Sequence, residues 1–176
     1  MRVLFLSFYY QPDLSAGSFR NTALVAALKA KLSSGDHIDV ITTMPSRYAS
    51  FSAHAPAYEE IDGVSVHRLA LPMHKSGILD QSRAFITFAR KAEKLTRTQE
   101  YNLVYASSSR LMTAILGCYF AQKKKSLLYL DIRDIFVDTI KDVFPAILIW
   151  VLKPLFSALE KWAVHRAQKV NLVSGG

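Results

Sequence analysis

The chain is 176 residues long, which suits one domain with a core of its own. Hydrophobic residues make up 51% and charged residues 20%, a balance that excludes a largely disordered chain. The formal net charge of +8 admits nucleic acid, an anionic membrane or phosphorylated small molecules as partners, while the single Cys118 excludes an internal disulfide and fits a reducing, cytosolic setting.

After Met1-Arg2 the chain runs apolar through Val3–Phe8. A signal peptide needs a longer apolar stretch and a small-residue cleavage site, neither of which precedes Gln11-Pro12-Asp13. The segment reads as a first strand covered on both faces. A helix is expected over Ser18–Leu32, then strands over Ile38–Thr42 and Val64–Leu69. The next helix, Gln81–Thr98, is sharply patterned: Ala84, Phe85, Phe88, Ala92 and Leu95 share one face. Arg83, Arg90, Lys91, Lys94 and Arg97 lie off that face and form the expected membrane-facing surface.

A strand over Leu103–Ala106, a helix over Leu111–Lys123 and a strand over Ser126–Ile132 follow, with Cys118 read as a packed side chain. Val143–Leu152 is uncharged but has only ten residues, against the roughly 20 that cross a bilayer. Pro154 is expected to separate this apolar segment from a helix, Pro154–Gln168, that buries Leu155, Leu159 and Trp162. A last strand covers Val170–Val173. This alternation predicts an α/β fold: a doubly wound, mainly parallel sheet with helices on both faces. One domain is expected over 1–176, cut at a domain boundary beyond the last strand.

In such sheets ligands gather at the carboxyl ends of the strands, where three segments bear chemistry. In Ser15-Ala16-Gly17-Ser18, small residues ahead of a helix allow backbone amides to approach a phosphate, or simply supply an N-cap. In Ser107-Ser108-Ser109-Arg110, hydroxyls and a guanidinium suit a phosphate or sugar hydroxyls, or again a cap. Asp131, Arg133, Asp134 and Asp138 crowd eight positions, either as a salt-bridged turn or as an ion pair beside a carboxylate free to accept a proton. His37, His54, His67, His74 and His165 show no metal-ligand spacing, and there is no G-x-G-x-x-G, P-loop or G-x-S-x-G.

The ordered set of Leu6-Ser7-Phe8-Tyr9-Tyr10-Gln11-Pro12 with Ala16-Gly17, Glu60–Leu69, Tyr101–Ser108, Leu130-Asp131-Ile132-Arg133-Asp134 and Glu160-Lys161-Trp162 leading to Ala167–Ser174 resembles a known family. It is similar to the amino-terminal, acceptor-side domain of GT-B glycosyltransferases of family 4, especially bacterial cell-surface polysaccharide enzymes that transfer amino sugars. The resemblance implies one Rossmann-like half of a two-domain enzyme. The other half, with an E-x7-E motif, would hold most of the nucleotide-sugar donor, and the fragment alone would be inactive. It also implies a lipid-linked or glycan acceptor, commonly on polyprenyl diphosphate at the inner face of the membrane, with no cofactor, no metal and no nucleic acid.

Carried onto this chain, the resemblance makes Asp134 or Asp131 the acceptor-activating base and Arg133 its organiser. Ala16, Gly17, Ser18, Ser107, Ser108 and Asp138 become donor- or acceptor-binding residues. The chain departs from the family in having one glycine in the first loop, and Ile135-Phe136-Val137 where a Trp-Pro pair is usual. Two further readings stand beside this one: a nucleotide- or dinucleotide-binding module, and a basic phospholipid- or nucleic-acid-binding domain built on Lys123-Lys124-Lys125 and the Arg83–Arg97 helix.

Overall fold

The computed structural model describes residues 1–45, 55–72, 78–108, 111–133 and 146–172. The chain divides into two compact units, Met1–Asn102 and Leu103–Gly176.

The first unit holds β1 (Arg2–Leu6), α1 (Ala16–Lys29), β2 (His37–Thr43), β3 (Tyr58–Ile61), β4 (Val64–Leu69) and α2 (Ile78–Thr96). Its strands lie in the order β3-β4-β2-β1. β1 with β2 and β2 with β4 are parallel, in a register that pairs Leu4 with Asp39 and Val40 with Val66. Val3, Leu4, Phe5 and Leu6 are all fully buried, as a strand covered on both faces requires. The two helices supply the covers. Asn21 of α1 bonds to Ser7, whereas Phe88 of α2 stacks on Phe8 with ring centroids 4.5 Å apart. Burying Phe88 contributes about 1.5–3 kcal/mol. Ala84 and Ala92, one turn to either side, complete the expected apolar stripe, while Leu95 is exposed and Thr96 takes the buried place at its end.

β3 was not expected from the sequence. It runs antiparallel to β4 through the two-residue turn Asp62-Gly63, where both residues have positive φ (50° and 79°). A primed turn of this kind matches strand twist and demands residues that tolerate the left-handed region.

The second unit holds β5 (Leu103–Ser108), α3 (Leu111–Lys124), β6 (Leu127–Ile132), α4 (Ala146–Arg166) and β7 (Lys169–Leu172), with the strands parallel in the order β5-β6-β7. α3 buries Leu111, Ala114, Leu116, Cys118, Phe120 and Ala121, and packs against β5, β6 and α4. The Cys118 thiol is buried against the Ala163 carbonyl of α4, 3.8 Å away, and desolvation pushes its pKa up to about 11. Cys118 is thus an inert packed side chain.

The expectation for α4 needs correction on two counts. The helix runs through Pro154 instead of starting there. Leu155 and Trp162, assigned to its buried side, are 53% and 38% exposed, and small Ala163 is the buried contact. Among the described residues no helix is long and apolar enough to cross a membrane. The architecture is the α/β, mainly parallel, Rossmann-like one, with β3 the one antiparallel strand described.

Candidate functional site

In the first unit, the chain leaves the carboxyl end of β1 along a loop whose backbone is fixed at nearly every step. The Ser7 amide continues the ladder to Ile41 O at 3.1 Å. Asn21, fully buried on α1, donates from Nδ2 to Ser7 Oγ at 2.5 Å and to Tyr9 O at 2.8 Å. Thr43 Oγ1 donates to Phe8 O at 2.7 Å, and the Gln11 amide donates to Thr22 Oγ1 at 3.3 Å. Arg68 of β4 then holds the far side of the loop. Its Nη2 and Nε donate to Gln11 O at 2.9 and 3.3 Å, its Nη1 to Pro56 O at 3.1 Å, and Glu59 pairs its charge. A buried guanidinium is tolerated because its donors are matched this way. Tyr10 lies buried in the same loop, where desolvation raises its phenol pKa. The Gln11–Pro12 peptide is cis.

This braced loop delivers the start of α1. Ser15 is its N-cap: its hydroxyl accepts the Ser18 amide at 3.2 Å. Ala16 and Gly17, the first two helical residues, have amides with no intrahelical acceptor. No acidic residue lies in the first turn itself, the place where one would offset the positive end of the helix dipole. Gly17 and Ser18 are buried, and Ser18 Oγ has no hydrogen-bond partner. A buried unpaired hydroxyl costs roughly 1–3 kcal/mol, so the first turn offers two amides and a hydroxyl to an incoming acceptor atom. An oxyanion is the group that suits them.

In the second unit, strand register lines up Ser107 of β5, Asp131 of β6 and Asn171 of β7 as cross-strand partners. Asn171 Nδ2 donates to Asp131 Oδ1 at 2.6 Å, and Asp131 is fully buried. Ser107 is also buried, with its hydroxyl unpaired. Beside this row, the half-buried Arg133 donates its amide to Ser108 O at 3.1 Å, which ties the residue after β6 to the end of β5. Ser107, Ser108, Asp131 and Arg133 are therefore brought together at the carboxyl ends of adjacent strands. Asp134 and Asp138 lie outside the described residues, as do Ser109 and Arg110. Among the described residues no three His, Cys, Asp or Glu side chains converge as a metal site would need.

The residues that brace the first loop, Asn21, Thr43 and Arg68, were not singled out in the sequence. Asn21 had a signal, since a mid-helix asparagine needs a side-chain partner to be favourable. So did Arg68, a charge inside the apolar run Val64–Leu69.

Arg83, Arg90, Lys91 and Lys94 are exposed on α2. At about 100° per residue, Arg83, Arg90, Lys94 and Arg97 fall within a stripe roughly 60° wide, opposite the Ala84–Phe88–Ala92 contact. Lys91 lies beside it, with Nζ on the Ala70 carbonyl at 2.7 Å.

No protein family and no curated protein matches the chain in sequence. Solved structures do match. The chain is similar to sucrose-phosphate synthase from Thermosynechococcus elongatus, at 13% identity and a TM-score of 0.58, covering 100% of this chain and 48% of that one. It is also similar to Arabidopsis thaliana UGT89C1 complexed with UDP, at 14% identity and a TM-score of 0.54, covering 99% of this chain and 45% of that one. The chain thus spans about half the length of these glycosyltransferases. At such low identity the likeness shows the fold, a Rossmann-like unit similar to the domains of GT-B glycosyltransferases.

Proposed function

We propose that the chain is the acceptor-side, amino-terminal half of a GT-B glycosyltransferase of family 4 type. It passes a sugar from a nucleotide sugar to a glycan acceptor carried on polyprenyl diphosphate, at the cytoplasmic face of a cell membrane, during envelope polysaccharide synthesis. The observation that supports this reading best is the start of α1. There the Ala16 and Gly17 amides, with the buried, unpartnered Ser18 hydroxyl, form an oxyanion cradle on a rigid loop at the carboxyl edge of the strands.

In the reaction an acceptor hydroxyl oxygen bonds to the anomeric carbon. The bond from that carbon to the diphosphate oxygen breaks, and the nucleoside diphosphate leaves with the electron pair. Amides at a helix start stabilise the charge that develops on this leaving group. The acceptor proton goes to a carboxylate, a role we give to Asp134. Arg133 organises it, and the buried Asp131–Asn171 pair holds the end of β6 just ahead of Arg133. Ser107 and Ser108 offer hydroxyls, Asp138 lies a few residues further on, and the exposed basic stripe of α2 meets the anionic leaflet.

The test is a titration of the isotope-labelled chain with UDP, read at the backbone amides. Shifts concentrated at Ala16, Gly17 and Ser18, and lost in Gly17→Val, are the expected result. Shifts elsewhere, or shifts unchanged by Gly17→Val, refute the placement of the diphosphate at α1.

A further inference from the structure

The first unit has a second concave site, along one face of its strands from Arg2 and His37 to Ile41 and His67. Register places side chains of four strands on one face. Arg2 pairs with His37 across β1 and β2, Asp39 with Ser65 across β2 and β4, and Glu60 with Ser65 and Tyr58 with His67 across β3 and β4. Together with Leu95, Gln99 and Tyr101 they enclose a groove of about 590 Å³. That lies within the range of roughly 300–1,000 Å³ usual for small-molecule sites.

The groups in this groove are of two kinds. Some satisfy one another. Arg2 donates from Nε and Nη2 to Asp39 at 2.6 and 3.2 Å, and from Nη1 to Gln99 at 2.6 Å. His37 turns Nε2 toward both Ser65 Oγ, at 2.9 Å, and Asp39 Oδ1, at 3.3 Å. A nucleophilic triad needs two different ring nitrogens for those two contacts, so the Asp39–His37–Ser65 cluster is not hydrolytic. The others lie nearer solvent. Tyr58 is half exposed and packs on His67 in a tilted pair, ring centroids 4.9 Å apart and planes 39° apart, and its hydroxyl donates to Glu60 Oε2 at 2.5 Å. Glu60 itself is exposed. With the histidines neutral, Arg2 and Asp39 cancel and Glu60 leaves the groove net negative in a chain whose total charge is +8. That balance repels phosphates and carboxylates.

We propose that this groove binds a small planar organic cation of the amidinium or guanidinium class, stacked on the Tyr58 ring with its N–H groups on the Glu60 carboxylate. Flat cations gain from an aromatic face, and their paired N–H donors match a carboxylate in geometry and charge. The proposal is independent of glycosyl transfer and uses no residue of the α1 loop.

The experiment compares three ligands of nearly one shape, benzamidine, benzamide and benzoate, by calorimetric or NMR titration of the 176-residue chain at pH 8. Benzamidine is expected to bind, benzamide about tenfold more weakly or worse, and benzoate not at all. Glu60→Gln is expected to weaken benzamidine about tenfold and Tyr58→Leu about fivefold. Both side chains are exposed, so the melting temperature of each variant serves as the check on folding. Three results overturn the proposal: equal binding of benzamidine and benzamide, a folded Glu60→Gln that keeps wild-type affinity, or no benzamidine binding up to about 10 mM, beyond any specific site of this size.

Discussion

Gly117 sits mid-way along α3, where a helix former would ordinarily be better, and Gly117→Ala sets two effects of opposite sign against each other. Removing a mid-helix glycine stabilises by about 0.8–1 kcal/mol. Against this, a Cβ at position 117 would stand 2.7 Å from Ala106 Cβ on β5, with Leu128 Cδ1 at 3.4 Å and Leu130 Cδ2 at 3.8 Å on β6. The Ala106 methyl is fixed to a strand backbone and cannot rotate away, so α3 must lift or the strand must bow. Overpacking of that sort costs about 1–3 kcal/mol, and the contact is severe enough to place it in the upper part of the range. We expect a net loss of about 1–2 kcal/mol, or a melting temperature lower by roughly 3–6 °C for a chain of this size. Urea denaturation of Gly117→Ala, Ala106→Gly and the double variant provides the test. With the Ala106 methyl gone, Gly117→Ala should become neutral or stabilising, a coupling of at least about 1 kcal/mol. A single Gly117→Ala variant as stable as wild type refutes the reasoning, as does strict additivity in the cycle.

Burial holds the His67 pKa below its ordinary 6.5, so the unfolded chain takes up that proton more readily than the folded one. Stability is therefore undiminished by His67 above the unfolded pKa and falls as pH drops below about 6.5. His67→Gln should lose less stability than wild type between pH 8 and pH 5 in parallel urea melts, and equal losses would contradict the assignment. In the full-length polypeptide, Asp134→Asn should slow glycosyl transfer by roughly 10²–10⁴-fold without changing the circular dichroism, as loss of a general base does; near-normal turnover would remove Asp134 from the mechanism. Sedimentation with anionic vesicles should be strong at low salt and weak at high salt. Replacing Arg90, Lys91 and Lys94 with glutamine should abolish it, since each basic residue near such a leaflet contributes about 1 kcal/mol. Indifference to the lipid charge would leave the α2 stripe as a solvated face.

Strand alternation was legible because it rests on burial, the strongest signal a sequence bears. Val64–Leu69 matches β4 residue for residue, and the apolar periodicity of α2 located Ala84, Phe88 and Ala92 on the core side. β3 escaped because Tyr58-Glu59-Glu60-Ile61 is short, carries two carboxylates and lies mostly exposed. Its evidence lay in the turn, where Asp62-Gly63 before an apolar run marks a two-residue hairpin. α4 misled through Pro154. A proline removes one hydrogen bond and crowds the previous turn, yet leucines, alanines and lysines on both sides favour helix strongly enough for it to continue. The misplaced face of α4 has a packing cause. Ala163 is small enough to bring its backbone to the Cys118 sulfur, and a close approach of that kind turns bulky Leu155 and Trp162 outward.

At the candidate site, Gly17 and Ser18 stood out as small residues between the first strand and the first helix, and Asp131 and Arg133 as charges at the end of an apolar strand. The bracing by Arg68, 57 residues from Gln11, was not, because nothing local in either stretch names its partner. The polar row Ser107–Asp131–Asn171 depends on register between strands separated by a helix, which sequence periodicity leaves open.

The hairpin at Asp62-Gly63 has a consequence for solubility. Parallel α/β sheets end in a strand whose outer amides and carbonyls invite another chain to pair with them. In the first unit that outer position falls to β3, only four residues long and carrying Glu59 and Glu60 side by side. A second copy approaching edge to edge would bring like charges together and gain few hydrogen bonds for it. The apolar strands Val64–Leu69 and Ile38–Thr42, whose sequences would aggregate readily if left at a rim, are kept one and two places inside that short acidic border.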